Sequence, residues 1–273
     1  TDTVDEMQFD AIPDYGWPMI AASATAAVWG FGNPLLGGCI GRSVKVGDAG
    51  DDLGLYAAHC PIQPLALRDS TLTFLTARNV DDIAVARADL VTSAIEEMAR
   101  IPGEPGGRVL HGDHAYLLLT RGPASAQFTV IAALDLRAPD APMEIVSAPI
   151  AGQRLRADVF TVGDGWLAWL DDRSATADAW RVVVRTDAGD AITELPQPAH
   201  SLAAAGGALW MIADDLEDVE RARLLRIPDI ASPVSSPSTL TLGAEGGARA
   251  LTGFGDALLV ETNDFRLLLQ PLP

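Results

Sequence analysis

Short apolar runs separated by turn residues organise this chain. Six segments share one shape: a short apolar stretch, a turn that often holds Gly or Asp, then a strongly apolar stretch. They begin at Met19, Leu65, Val109, Val159, Leu202 and Leu251. Apolar runs of roughly 4–8 residues bounded by such turns read as β-strands. With Ser23, Asp69, Gly112, Gly163, Gly206 and Gly255 as turn markers, the shape recurs about every 46 residues. A lone small sheet cannot cover both its faces, so units of this kind stack on their neighbours.

The pattern continues within each unit. In the fourth, Trp166–Leu170 reads as a second strand, Trp180–Arg185 as a third and Ala191–Leu195 as a fourth, with Asp187–Asp190 as the turn between the last two. Pro149, Pro196 and Pro198 follow fourth strands. Proline cannot donate to a ladder, so it suits edges and connections. The last unit has room for three strands, ending with Phe265–Gln270. The extended stretch Val4–Ile12 is expected to supply its missing outer strand and so cover an open edge. Two segments also fit helices. Ala88–Arg100 has Ser93 three residues before Glu96, as in a capping box, with apolar Leu90, Val91, Ile95 and Met98. Asp214–Leu225 is charged and helix-compatible.

On these repeats the chain resembles the six-bladed β-propeller superfold over essentially its whole length, in architecture only. The expectation is an all-β single domain over 1–273. Its repeats fall near 15–60, 61–104, 105–151, 152–198, 199–243, and 244–273 joined by 1–14. Five or seven blades are the alternatives if the helix-compatible segments mislead. The blade motifs of specific propeller families, such as a repeated Trp-Asp, are absent. Fold alone does not decide function.

Charge narrows the partners. The 273 residues carry 37 acidic and 19 basic side chains, a net charge of −18. Such a surface repels phosphate backbones, so neither nucleic acid nor an anionic membrane is an expected partner. No apolar run approaches the length of a membrane-crossing helix. Lys45 is the single lysine among many arginines and alanines, a usage that points to a high-GC bacterium. No phosphate-binding glycine loop, nucleophile elbow, zinc-protease helix motif or Cys-x-x-Cys occurs.

Four groups of residues carry candidate chemistry. Cys39 and Cys60 flank the turn Gly47–Asp52 symmetrically, so a hairpin would set them opposite each other. A disulfide there would imply a secreted or periplasmic protein, and two buried thiols are the other reading. The second strands lead into polar residues: Asn79, Asp171 and Asp172, Asp214 and Asp215, Asn263 and Asp264, with Asn33 in the first unit. Carboxylates and amides converging on one face suit a hard cation such as Ca²⁺, and they are also ordinary strand-ending turn formers. His111-Gly-Asp-His114 looks metal-like but falls in a predicted turn, and His200 begins a first strand. Among six tryptophans, Trp17 lies in a proline-flanked entry loop beside Tyr15 and is the expected exposed one.

The reading that assumes least is a non-enzymatic binding propeller without a cofactor, recognising a protein partner or ligand on one face. The alternative is a metal-dependent hydrolase of lactonase or phosphoesterase type. There a bound Ca²⁺ held by Asp171, Asp214, Asn263 and Asn79 would polarise an oxygen and activate water. A sugar-binding module is disfavoured by an aromatic content of 6%.

Overall fold

The structure, a computed structural model, describes residues 19–22, 26–33, 38–45, 63–79, 82–92, 94–101, 104–123, 126–150, 159–171, 180–213, 221–230, 238–245, 247–254, 257–262 and 267–271. Among them every regular element is a strand, and the strands form six antiparallel sheets of three or four. Each sheet is a meander of sequence neighbours, so its pairing follows chain order. The chain divides into two units, Thr1–Pro102 and Gly103–Pro273.

The first unit holds two sheets. One pairs β1 (Met19–Ala22), β2 (Ala26–Asn33) and β3 (Gly38–Lys45). The other pairs β4 (Gln63–Arg68), β5 (Thr71–Asn79), β6 (Asp82–Asp89) and β7 (Ile95–Arg100), and β1 and β2 lie beside β4. Leu65, Leu72, Phe74, Leu75 and Val85 are buried there. Ala88–Arg100 is therefore not a helix. Asp89 ends β6 and its carboxylate accepts the amides of Val91 and Thr92 at 2.8 and 3.0 Å, closing a turn into β7. The register between β6 and β7 shifts between Val85 and Ala86, which leaves Met98 as an extra residue in β7. That bulge sets the half-buried Ile95 and Met98 three residues apart, a helical interval produced inside a strand.

The second unit holds four sheets. They comprise β8 (Glu104–His111), β9 (His114–Arg121), β10 (Phe128–Asp135) and β11 (Glu144–Ile145); β12 (Phe160–Gly163), β13 (Trp166–Asp171), β14 (Arg181–Thr186) and β15 (Gly189–Glu194); β16 (Ala199–Ala205), β17 (Ala208–Ala213), β18 (Arg221–Ile227) and β19 (Ser238–Glu245); and β20 (Ala248–Phe254), β21 (Ala257–Thr262) and β22 (Leu267–Pro271). The end of the helix-compatible stretch Asp214–Leu225 is thus strand β18, and its first residues lie outside the described set. First strands are neighbours in series: β8 beside β12, β12 beside β16, β16 beside β20.

Alternation along the strands fills the space between sheets. One apolar cluster joins Leu118 and Ile131 to Trp169, Val183, Ala168, Leu170, Leu209 and Met211, so the sheet β12–β15 is covered on both faces. A second joins Trp210, Ile212 and Leu224 of β17–β18 to Leu251, Leu258 and Val260 of the last sheet.

The turn markers Asp69, Gly112 and Gly206 stand between first and second strands with left-handed backbone. Gly163 ends β12 just before its turn. Ser23 and Gly255 lie outside the described residues, as does Val4–Ile12. One feature recurs that the pattern did not signal. In β4, β8, β16 and β20 the register with the second strand slips by one, leaving Leu65, Gly106, Ser201 and Arg249 unpaired as β-bulges.

Candidate functional site

Asp171 is the one strand-end candidate whose side chain is described. Leu167 to Asp171 is buried throughout, so the apolar run of β13 carries the carboxylate inward with it. Directly opposite, Arg181 opens β14, and its Nη2 donates to Asp171 Oδ2 at 3.4 Å. The carboxylate is fully buried and the guanidinium retains 21% exposure. A buried carboxylate needs such a partner, because the ion alone costs several kcal/mol to desolvate. Trp169 stands two residues back on the same face. Its Nε1 and Arg181 Nε are buried donors with no hydrogen-bond partner among the described residues.

The same face continues into a second charged group. Arg185 stacks over the Trp169 ring at 5.4 Å. It donates Nε and Nη2 to the two carboxylate oxygens of Asp190 at 2.6 and 2.7 Å, and Nη1 to the Val146 carbonyl at 2.8 Å. The Arg185 bond holds the Asp190 carboxyl below its ordinary value, and Asp190 in turn raises the Arg185 guanidinium. This bidentate pair fixes the arginine while its third donor reaches the segment after β11.

The His111-Gly-Asp-His114 turn is where the pattern placed it. His111 ends β8, Gly112 takes φ 55°, and His114 opens β9. Its groups find separate partners. His111 Nε2 lies 2.9 Å from Asp164 Oδ1 in the turn between β12 and β13, with the imidazole donating to the carboxylate. Asp113 pairs with Arg137 at 3.4 Å. Asp135, across the ladder from His114, accepts the Arg137 amide at 2.8 Å, and that bond lowers its pKa first of several causes. Among the described residues no three His, Cys, Asp or Glu side chains stand as a metal-holding group. His200, in β16, is half-buried.

The other candidates lie, wholly or in their side chains, outside the described residues. Asn33 and Asn79 end β2 and β5, but their side chains lie outside the described residues. Trp17, Cys60, Asp172, Asp214, Asp215, Asn263 and Asp264 lie outside them entirely, and Cys39 is described only as backbone in β3. Sequence reasoning missed Arg181, whose signal was a charged residue at each end of the apolar run Arg181–Arg185.

Comparison with solved structures settles the fold class. The chain superposes on the β-propeller domain of the Trilobed protease from Pyrococcus furiosus with a TM-score of 0.56, 12% identity, and coverage of 93% of this chain and 77% of that one. Its structural neighbours are β-propeller proteins. TolB from Acinetobacter baumannii gives 0.53 at 12% identity, over 91% of this chain and 65% of that one. A puromycin-hydrolyzing peptidase of Mycobacterium tuberculosis gives 0.59 at 14% identity, over 92% of this chain and 44% of that one. The chain thus spans less than two thirds of TolB and under half of the peptidase. No family model matches it, and no curated protein matches it. Identities this low show an all-β fold with β-propeller neighbours and carry no chemistry across.

Proposed function

We propose that this chain is a six-bladed β-propeller, closed by Val4–Ile12 pairing beside β22, and that it is a non-enzymatic recognition module for a protein or ligand. Its recognition face is formed where second strands end, at Asn79, Asp172, Asp214, Asp215, Asn263 and Asp264, with Trp17 in the entry loop. No cofactor is required. The observation that supports binding over metal-dependent hydrolysis is the state of Asp171. Its carboxylate is buried and engaged by Arg181, where a metal ligand would turn an oxygen towards open coordination space.

Calcium content and stability, measured on the purified chain and on Asp171→Asn, test this. The binding reading expects no stoichiometric Ca²⁺ in either protein. It also expects the variant to lose about 3 kcal/mol, because a largely buried guanidinium loses its counter-charge. One Ca²⁺ per chain that disappears in Asp171→Asn would overturn it and favour a lactone or phosphoester hydrolase. Closure is tested separately: removal of residues 1–14 is expected to lower the melting temperature. An unchanged melt would remove the closing strand from the proposal.

A further inference from the structure

Asp164–Gly165 is the only Asp-Gly step in the chain, and no Asn-Gly step occurs. It forms the two-residue turn between β12 and β13, closed by the Gly163–Trp166 pair. The Asp164 side chain is fully exposed. Gly165 takes φ 74°, and the space a Cβ would fill there is open, so no side chain or backbone beyond the turn itself crowds it. These are the conditions under which an aspartyl residue can close on the next backbone nitrogen. One contact opposes the reaction. Asp164 Oδ1 is held at 2.9 Å by His111 Nε2, at the end of β8 in the neighbouring sheet. That bond engages one oxygen of the carboxyl group from the neighbouring sheet.

We propose that Asp164–Gly165 is a site of spontaneous isoaspartate formation, and that His111 restrains it by holding the Asp164 carboxyl group out of reach of the Gly165 amide. In the reaction the Gly165 nitrogen bonds to Asp164 Cγ. The carboxyl oxygen leaves as water, taking the amide proton, and a succinimide results. Water then adds back to either ring carbonyl. Addition at the side-chain carbonyl restores aspartate, and addition at the main-chain carbonyl gives isoaspartate. Mass and redox state are unchanged overall. The product carries one extra methylene in the main chain of a two-residue turn, which alters the spacing that sets Gly163 opposite Trp166. It also displaces the carboxylate from His111, so the contact between the two sheets is lost.

The test is ageing of the purified chain at neutral pH, with isoaspartate located by electron-transfer fragmentation of the tryptic peptide Ala157–Arg173. The expected result is slow accumulation at position 164 in the native chain. His111→Ala should accelerate it several-fold, and His111→Gln, which keeps a donor near the Nε2 position, should return it towards the native rate. Asp164→Glu, whose longer side chain would have to close a larger ring, should abolish the product. Near-ultraviolet circular dichroism shows whether each variant keeps native packing. Equal or slower accumulation in a folded His111→Ala would overturn the restraining role. Absence of isoaspartate at 164 in every protein would overturn the site itself.

Discussion

Two junctions between neighbouring sheets of the second unit are built differently. Where the sheet β12–β15 faces the sheet β8–β11, polar groups cross the gap: Arg185 reaches the Val146 carbonyl, and His111 meets Asp164. Where β16–β19 meets β20–β22, the backbones approach closely over small side chains. Ala203, Ala205 and Ala208 are buried there, and a Cβ added to Gly253 would run into the Ala204 carbonyl. A side-chain bond also crosses this junction: the Leu251 amide donates to Ser201 Oγ at 2.9 Å. Both junctions carry a tryptophan under an arginine, Trp169 with Arg185 and Trp210 with Arg226, each at 5.4 Å. The tryptophans are not equivalents. Trp169 lies in the cluster shared with β9 and β10, Trp210 in that shared with β20 and β21, so they project from opposite faces of their sheets. One repeat shape thus admits two kinds of join, both packed by apolar side chains, one spanned also by charged and imidazole groups and one by closely approaching backbones.

Gly253→Ala should do the most damage to the close join. Overpacking against fixed backbone costs typically about 1–3 kcal/mol, and the upper end is expected because the obstacle is a carbonyl. A urea melt with an unchanged midpoint would show that the two strands can separate freely. Ser201→Ala comes next, at about 2 kcal/mol, because it strands the buried Leu251 amide. Ser201 also has φ 60°, so Ser201→Gly loses the same bond but relieves the backbone and should cost less than alanine. The reverse order would remove that account of the bulge.

A smaller difference separates the tryptophans. Trp210 Nε1 donates to the Ala205 carbonyl at 3.1 Å, whereas Trp169 Nε1 is a buried donor without a partner among the described residues. Trp210→Phe should therefore cost about 1 kcal/mol more than Trp169→Phe, since only the former breaks a bond. Equal losses in matched denaturant melts would contradict the assignment.

Acid should produce the smallest effect, and at the polar join first. The Asp190 carboxyl is lowered by its Arg185 bond, so its contribution is present above the ordinary aspartate value of about 4 and is lost as pH falls through the folded value. The pair is about one third exposed, which limits the loss to a few tenths of a kcal/mol. Amide protection in β14 and β15, taken relative to the intrinsic exchange rate at each pH, should fall on acidification before that in β16 and β20. Simultaneous loss of protection would mean that Asp190 does not stabilise its join separately.

The fold was legible where short apolar runs bounded by turn residues met no bulge. Trp166–Asp171 and Arg181–Thr186 fall where the apolar runs place them, whereas the last strand, Gly189–Glu194, begins two residues earlier than expected, because the turn is only Asp187–Ala188. It was misread where a bulge changed the period. Met98 added one residue to β7 and produced the three-residue interval that suggested a helix over Ala88–Arg100. The site was less legible. Asp171 could be marked as a strand-end carboxylate, but its burial depends on Arg181 opposite, and pairing between strands leaves no trace in local spacing. For the same reason neither the His111–Asp164 contact, which spans separate sheets, nor the Ser201–Leu251 bond had any signal in either segment.

The bulge that recurs in β4, β8, β16 and β20 bears on how such a chain diversifies. At each one a residue is surplus to the ladder, and its identity varies from unit to unit: Leu65, Gly106, Ser201 and Arg249 differ in size, charge and backbone freedom. A duplicated unit could therefore gain or shed a residue there while its second strand kept its inward and outward faces. Inheritance is then strict for the second strand and permissive for the first, and copies of one ancestral segment can drift in length and lose sequence likeness without losing the architecture.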